Sequence, residues 1–470
     1  MIAHVGNVGT DVRIDNASPR KAEITLSAGV PVGDWLIAWF ATRCAYDISR
    51  PTDSYNWAVA YDTKLNPWCG IARAQIPDTS FAGVMVHIFI AEVQRALVSG
   101  DKITALVGNH QAGATWVKCL SVERFSVGAD MRLAVTGNGY TGQFVGSGGG
   151  DPPAIATDFV GPDREVLYLY GLANEGPIGD SFTWDPDHTQ ITPAGSNTGT
   201  PTNDITVLGS YRIAEVSGNA DGVDITSAVD RELAQTMICL AEVKQPVGFP
   251  ITPILDDFNR ADENPLDGGR WDTVRSSYGF PSSQIISNQA AGGGSIFNGF
   301  QEKCQEVYVT VADYASSAIH FNASGDVQLG DFQAHGAQWR DGTRLPSVES
   351  HSINFGYANL FGEIVVSVVG PPIITWPTGL YTPPPDGSKM GIRREKFSGL
   401  WADTLFVDLL DGDGWRPCGT LAYDIAAASP LDDGELSMGT DGRLDDFGGG
   451  MIPCGRPFRP QVYRRTLGVV

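Results

Sequence analysis

The sequence predicts an all-β protein made of jelly-roll or other β-sandwich domains in tandem. Glycine and proline, 56 and 29 of the 470 residues, are spread along the chain and indicate many turns. Between the turns lie short runs rich in Val, Ile, Thr and aromatic residues, which are typical of strands, and helical periodicity is nearly absent. A chain of this length is too long for one ordinary core, so two or three domains are expected.

Several strands are predicted directly from the pattern. Residues 22–26 precede a turn at residues 30–34, and residues 35–41 are continuously apolar, as a central strand is. Four later runs are predicted as strands in the same way: residues 306–311, 319–322, 363–369 and 404–410. The sequence Asp411-Gly412-Asp413-Gly414 then supplies a hairpin turn.

The first domain, residues 1–248, carries an internal duplication with halves of about 1–147 and 154–248. Residues 119–128 align without gaps on residues 239–248, so that Cys119 matches Cys239. A connector rich in glycine and then proline, residues 146–153, separates the halves. The pattern fits two stacked sandwiches or one merged jelly roll to which both halves contribute, and we favour the merged form.

A proline-bearing hinge, residues 246–253, leads into a second domain of about 254–450. This domain opens with Asp256-Asp257-Phe258-Asn259-Arg260-Ala261-Asp262, in which the short polar side chains can cap turns and Phe258 supplies an apolar anchor. Residues 375–385 are predicted to be a loop or an edge segment, because prolines remove ladder donors. Residues 451–470, with four arginines, are predicted to form a C-terminal arm.

The opening of the second domain resembles that of concanavalin-like (laminin-G-like) sandwich domains in minor tail proteins of phages that infect actinobacteria. The likeness includes Leu444-Asp445-Asp446-Phe447 near the end of the domain. Residues 28–43 of the first domain are similar to such proteins in overall pattern. The resemblance implies a virion component near the tail tip, assembled with other tail proteins and with copies of itself, and in contact with the host envelope.

No residue spacing typical of catalysis is present, and we expect that the protein is not an enzyme. Glucanases of the concanavalin-like fold use an E-x-D-x-x-E spacing, which is absent here. Glu302 and Glu306 would lie roughly 13 Å apart along a strand, too far for the pair of carboxyl groups of a retaining glycosidase, and are interpreted as solvated charges. The sequence also lacks a GxSxG elbow, a P-loop and a dinucleotide fingerprint.

Charge and composition exclude further classes of function. The net charge of −22 argues against a nucleic-acid-binding protein, which needs a basic surface. The N-terminus does not read as a secretory signal, and the longest apolar runs are too short to cross a membrane. We therefore expect synthesis in the host cytoplasm without export and no membrane insertion, and the resemblance implies residence in the virion tail. The seven cysteines contain no CxxC pair and are interpreted as buried reduced thiols.

Two kinds of binding site are predicted. Laminin-G-like domains often bind calcium at rim loops, so the resemblance implies calcium at Asp411 and Asp413, or at Asp432 and Asp433 with Glu435; no other cofactor is expected. A lectin would stack sugars on exposed aromatic rings. The candidates for this role are two residues of the proline-rich segment and two residues beside turns: Trp376, Tyr381, Trp401 and Trp415.

The sequence therefore predicts a structural, non-enzymatic protein of a tailed-phage virion, most simply a minor tail or tail-tip protein that contributes to assembly and host contact. One alternative is a carbohydrate-binding module that recognises a host cell-wall glycan as receptor. A head decoration protein and a wall-degrading glycoside hydrolase are the other two.

Overall fold

The computed structural model contains strands, turns and irregular segments, and no α-helix in the part of the chain that it describes. The described residues are 1–15, 21–44, 58–75, 83–107, 116–142, 154–158, 163–200, 203–216, 220–229, 231–264, 271–272, 284–300, 305–313, 318–321, 326–335, 352–358, 363–368, 374–377, 387–408, 410–424 and 434–452. Within these ranges, no helix is long and apolar enough to cross a membrane. The predicted all-β class is confirmed, whereas the jelly-roll and concanavalin-like types stay predictions.

The first half forms two antiparallel sheets that face each other. Its strands are β1 (Ala3–Asp15), β2 (Lys21–Thr25), β3 (Trp35–Cys44), β4 (Ala58–Asp62), β5 (Trp68–Gln75), β6 (Gly83–Glu92), β7 (Lys102–Val107) and β8 (Trp116–Ser126). The larger sheet has the order β1-β8-β3-β6-β5 and the smaller one β2-β7-β4. Leu36, Phe40 and Ile103 are buried between the two sheets.

The second half repeats this order of strands. Its strands are β9 (Met131–Gly142), β10 (Ile155–Asp158), β11 (Arg164–Asn174), β12 (Phe182–Thr183), β13 (Thr189–Gln190), β14 (Ala194–Gly195), β15 (Thr206–Val216), β16 (Ala220–Val223), β17 (Thr226–Ser227) and β18 (Leu233–Lys244). The order β9-β18-β11-β15-β13 matches β1-β8-β3-β6-β5 strand for strand, and the pairs β10-β16 and β12-β17 correspond to the smaller sheet. Each half builds its own sheets, so the arrangement is two stacked sandwiches, not the merged form that we favoured.

The two larger sheets pack face to face, and the packing is reciprocal. Strand β3 lies on β11 and β15, while β6 lies on β11 and β18; β5 lies on β9 and β18, while β14 lies on β1 and β8. Strands β13 and β14 both pair with β15, and together they take the place of β5. When β3 is matched with β11, β6 with β15, β1 with β9 and β8 with β18, each of these contacts has its counterpart in the other direction, and that of β6 with β18 is the contact of β8 with β15. Trp39, Ile88, Leu167 and Val207 belong to the core between these sheets.

The alignment of Cys119 with Cys239 identifies matching strands but not matching faces. Cys119 in β8 faces the core between the two halves, whereas Cys239 in β18 faces the opposite core, with Tyr168 and Tyr170. Because side chains alternate between the faces of a strand, an alignment that is off by one residue exchanges the two faces. Both thiols are buried, as are those of Cys69 and Cys418.

The C-terminal part continues the sheet of the second half. Its strands are β19 (Ile254–Asp256), β20 (Trp271–Asp272), β21 (Gln284–Ile286), β22 (Gln289–Phe300), β23 (Gln305–Asp313), β24 (Ala318–Phe321), β25 (Asp326–His335), β26 (Ser352–Ala358), β27 (Glu363–Val368), β28 (Ile374–Pro377), β29 (Lys389–Phe397), β30 (Leu400–Asp408), β31 (Arg416–Asp424) and β32 (Gly434–Met451). Strand β31 pairs in parallel with β9, through Leu421 with Val135 and Ala422 with Thr136. The sheet then runs β31-β30-β29-β23-β32-β22-β20, while β24 to β28 form a separate sheet in sequence order.

The strands predicted from the sequence coincide with β2, β3, β23, β24, β27 and β30. The predicted domain boundaries stay predictions, although the sheet continues without a break from the second half into the C-terminal part. The connector at residues 146–153 and the arm beyond Ile452 lie outside the described residues.

Glu23 in β2 ties two strands of the smaller sheet together. Its carboxylate accepts hydrogen bonds from the ammonium groups of Lys21 and Lys102, each at 2.6 Å. The bond from Lys102 and then that from Lys21 lower the pKa of Glu23 from 4.5 to about 2. Since the folded pKa lies below the unfolded one, the stability that Glu23 contributes is present above pH 4.5 and is lost as the pH falls toward about 2.

We therefore expect Glu23→Gln to flatten the acid limb of the stability curve. In the wild type, the free energy of unfolding should fall more steeply between about pH 5 and pH 2 than in the variant. The reason is that the Glu23 carboxylate takes up a proton on unfolding in this pH range, and the variant has no such carboxylate. Urea unfolding at a series of pH values measures the difference. Glu215→Gln, at an exposed position of β15, is the matched control. Equal slopes for Glu23→Gln and the wild type would contradict the assignment.

Candidate functional site

The turn between β30 and β31 carries Asp411 and Asp413, and both aspartates bind arginine. Asp411 Oδ2 lies 3.0 Å from Arg95 Nη2 and also accepts a hydrogen bond from Arg416. Asp413 Oδ2 lies 3.3 Å from Arg416 Nη1 and also pairs with Arg95. Arg95 belongs to the loop after β6, so this network joins the first half of the chain to the C-terminal part.

The electrostatics of Asp411 follow from this arrangement. Burial alone would raise the pKa of its carboxyl group, but the charge of Arg416, the backbone N–H of Asp413 and the charge of Arg95 outweigh burial, and the pKa is lowered. Arg95 is held in turn by the backbone carbonyl of Lys64, which accepts a hydrogen bond from its Nη1 at 3.0 Å. Two guanidinium groups thus already neutralise the two carboxylates.

Calcium would have to displace both arginines to bind Asp411 and Asp413. Among the described residues, no group of three or more His, Cys, Asp or Glu side chains could hold a metal ion. In the other predicted set, Asp432 and Asp433 lie outside the described residues, and Glu435 is opposite Phe297 in the pairing of β32 with β22.

We expect calcium to leave the thermal stability unchanged. Millimolar CaCl2 and MgCl2 at equal ionic strength should give the same midpoint of unfolding, because the aspartates already have cationic partners. Asp413→Asn should lower the free energy of unfolding by only about 1 kcal/mol, since its carboxylate is 44% exposed. Differential scanning fluorimetry measures both effects. A rise specific to calcium that disappears in Asp411→Asn would instead support the predicted metal site.

Trp415, next to this turn, lies on a cluster of aromatic rings. The ring of Phe249, from the hinge, lies 4.9 Å from that of Trp415 and nearly perpendicular to it, and Tyr308 in β23 lies 6.1 Å away. Phe249 also stacks on Phe406 of β30 at 4.0 Å. Trp415 is half-buried, so part of its ring faces solvent while the rest closes the cluster.

Two of the four aromatic residues predicted to bind sugar, Trp401 and Trp415, lie at opposite ends of the hairpin of β30 and β31. Trp401 in β30 pairs with Tyr423, whereas Trp415 directly precedes Arg416 at the other end of the hairpin. Seven residues of strand separate these ends, which is roughly 24 Å. Trp376 is in the edge strand β28, opposite Ile364 and against β4 and β5. Tyr381 lies outside the described residues.

Strand β28 gives the outcome for the first residues of the proline-rich segment, which was predicted to be a loop or an edge, whereas residues 378–385 lie outside the described residues. Residues 374–377 form the outermost strand of the separate sheet, and Pro377 is its last residue. A proline is tolerated there because no further strand requires its missing N–H.

Glu306 is not a solvated charge, and that interpretation of the sequence was wrong. Its side chain is fully buried in β23, and its Oε2 lies 2.8 Å from Nη2 of Arg393 in β29, which is also buried. Its Oε1 accepts hydrogen bonds from the backbone N–H groups of Ile251 and Thr252. A buried carboxylate is stable only with such partners.

Arg393 also binds the hinge directly. It donates to the backbone carbonyls of Val247, at 2.9 Å, and Gly248, and its guanidinium lies 5.3 Å from the centre of the Phe249 ring. The hinge at residues 246–253 is therefore fixed to the C-terminal sheet by a buried ion pair. Local sequence patterns do not reveal this pair, because Glu306 and Arg393 are 87 residues apart in the chain.

The Asp256–Asp262 motif has a structural role that its residues explain. Asp256 binds Arg260 through both carboxylate oxygens, at 2.6 and 3.2 Å, and accepts the N–H of Phe258. The Phe258 side chain is fully buried in the main core. Asp262 accepts the N–H of Ser287, which holds the turn between β21 and β22. As predicted, the short polar side chains cap turns and Phe258 anchors the segment.

Comparison with known proteins finds no matching family model, no matching curated protein and no matching solved structure. The likeness to phage tail proteins thus rests on the motif residues alone and stays a prediction.

Proposed function

We propose that the chain is a structural component of a tailed-phage virion, a minor tail or tail-tip protein that contributes to assembly and host contact. The observation that carries the proposal is the continuity of the structure across its parts. Strand β31 adds to β9, and the core that contains Trp39 and Leu167 also contains Val407 and Leu421 of the C-terminal part.

This continuity suits a part that bears load. A force that acts between the C-terminal part and the rest of the chain is resisted by strand pairing with the second half, by a shared apolar core and by the four-residue ion network with the first half. The hinge between the second half and the C-terminal part is held by the buried pair of Glu306 and Arg393. Interfaces between independent domains are ordinarily smaller and more polar, and they allow relative motion.

The strand order supports a jelly roll as the building block of each half. In the first half, β1-β8-β3-β6 faces β2-β7-β4, the order that results when a long hairpin folds over itself to give two Greek keys. The first half departs from that order in β5, which pairs with β6 in the larger sheet and not with β4 in the smaller one. The motif residues Asp256, Phe258 and Arg260 support the concanavalin-like assignment of the C-terminal part, because they build its first turn.

The experiment is the detection of the chain in purified particles. Mass spectrometry of virions produced with this gene should find the chain, and a cryo-EM map should place its sheets at the tail tip. Particles that are infectious and complete without the chain would overturn the proposal. Density on the capsid surface would identify a head decoration protein.

The part-exposed ring of Trp415 favours a second candidate function, the binding of a host cell-wall glycan. A ring that is fixed from behind by Phe249 and Tyr308 offers a rigid face for stacking against a pyranose. Binding to a wall-glycan array that is lost in Trp415→Ala or Trp376→Ala, and kept in Trp184→Ala, would support it. Absence of binding by the wild type would exclude it.

A further inference from the structure

Arg132, at the start of β9, is fully buried without a hydrogen-bond partner. None of its three side-chain nitrogens forms a hydrogen bond within the described part of the chain. Glu92 of β6 is its charged neighbour, with Oε2 at 3.4 Å from Nη2, and its guanidinium lies 5.9 Å from the centre of the Trp35 ring. Buried polar groups are almost always hydrogen-bonded, so the cluster around Arg132 calls for a physical explanation.

The cluster lies where the three parts of the chain meet. Trp35 and Glu92 come from the first half, while Arg132 and Gln245 come from the second half. Gln94, beyond β6, reaches the C-terminal part by donating to the backbone carbonyl of Pro417. The two glutamine side chains also donate to Glu92, Gln245 to Oε1 at 3.2 Å and Gln94 to Oε2 at 3.5 Å.

Donors exceed acceptors in this cluster. The guanidinium of Arg132 has five N–H groups and the Trp35 indole has one, and Nε1 of Trp35 is also buried without a partner. Each carboxylate oxygen of Glu92 already accepts an N–H group from a glutamine. The cluster atoms without a hydrogen-bond partner are therefore four donor nitrogens, three of Arg132 and one of Trp35, and two acceptor oxygens, Oε1 of Gln94 and Oε1 of Gln245. Water brings as many donors as acceptors, whereas an anion brings acceptors alone.

Arg132 is the most deeply buried charged group of this cluster. Arg132 and Arg416 are 0% and 8% exposed, and Glu92 is 10% exposed. Asp411 and Asp413, which pair with Arg416, are 27% and 44% exposed and are therefore partly screened by solvent. The two arginines lie near Cys418: burial raises the pKa of that thiol, and the charges of Arg416 and Arg132 oppose the effect.

We propose that Arg132 and Trp35 form a buried binding site for one small monovalent anion, such as a halide, at the junction of the three parts. The anion accepts N–H groups of the guanidinium and the indole N–H, which have no acceptor among the described residues. The site is closed to solvent, which selects against large or doubly charged anions. The bound ion stabilises the junction and is independent of any role in a virion.

The test replaces sodium gluconate, whose anion is too large to enter, by sodium bromide at constant ionic strength. The midpoint of unfolding of the wild type, relative to the variant Arg132→Gln, should rise by about 2 °C for each tenfold increase in bromide above the dissociation constant. Trp35→Phe keeps an aromatic ring but lacks the indole N–H and should bind bromide about tenfold more weakly. Arg212→Gln, which removes a surface cation, should behave as the wild type.

Crystals grown in bromide provide a direct readout that does not depend on any variant. An anomalous peak within hydrogen-bonding distance of Arg132 and of Trp35 Nε1 is the expected result. If Arg132→Gln fails to fold, the Trp35→Phe titration and this peak decide the question. Density for water alone beside Arg132, or a wild-type midpoint that follows that of Trp35→Phe at every bromide concentration, would overturn the proposal.

Discussion

Replacing Glu306 with glutamine is expected to lower the free energy of unfolding by about 3–5 kcal/mol. The neutral amide cannot compensate the buried charge of Arg393. Its NH2 group must also face other donors, either the backbone N–H groups of Ile251 and Thr252 in the hinge or the guanidinium of Arg393. Arg393→Met should have an effect of similar size, because it leaves the buried carboxylate of Glu306 without its cation. Equilibrium unfolding in urea measures both variants.

Two controls separate the buried ion pair from a general effect of charge. Arg212→Met removes an arginine that is 31% exposed and whose partner Asp187 lies 3.6 Å away, and it should change the free energy by no more than about 1 kcal/mol. The double variant Glu306→Gln with Arg393→Met should be less destabilised than the sum of the two single changes, because neither charge is left alone. A decrease of less than about 1 kcal/mol in the free energy of unfolding of both single variants would show that the buried ion pair does not hold the hinge.

Replacing Trp39 with alanine is expected to cost about 3–5 kcal/mol. Trp39 is fully buried between the two larger sheets, and its indole Nε1 donates to the backbone carbonyl of Tyr170 in the other half at 2.8 Å. The substitution leaves a cavity at the centre of the shared core and removes that bond. Trp184→Ala is the matched control, since Trp184 is half-buried and meets Tyr170 only edge-on, and it should cost less than half as much.

Gly209 tests the same contact from the opposite side. A Cβ atom at this position would lie 2.7 Å from Trp39 Nε1 and 2.8 Å from the carbonyl oxygen of Tyr170. Gly209→Ala should therefore destabilise the protein although it adds only a methyl group, and Gly179→Ala, where nothing lies within 4 Å, should not. An unchanged free energy of unfolding in Gly209→Ala would contradict the close packing of the two sheets.

The sequence predicts the fold where a strand has both faces covered. Residues 35–41 are continuously apolar, and β3 proves to be a central strand with one core on each face, Trp39 on one side and Phe40 on the other. A continuous apolar run of this kind admits few alternatives. The order of strands, the face that Cys119 occupies and the parallel pairing of β9 with β31 depend on contacts between distant segments, which local patterns do not encode.

In the candidate sites, too, local features could be predicted from the sequence and contacts between distant segments could not. The turn that carries Asp411 and Asp413 was predicted from the residues themselves, but Arg95 lies more than 300 residues earlier and carries no signal that it binds them. Glu306 was interpreted as a surface charge because no neighbouring residue in the sequence could compensate it. The groups that allow its burial, Arg393 and the backbone N–H groups of the hinge, are distant in the sequence. Arg132 likewise looks like any arginine at the start of a strand until the surrounding sheets are known.

The reciprocal packing of β3, β6 and β8 on β11, β15 and β18 gives the pair of halves the geometry of a twofold dimer. One half alone would leave the face around Trp39 or Leu167 exposed to water, and the other half covers that face through equivalent contacts. The symmetry ends at the edge strand β9, because β31 of the C-terminal part pairs with it.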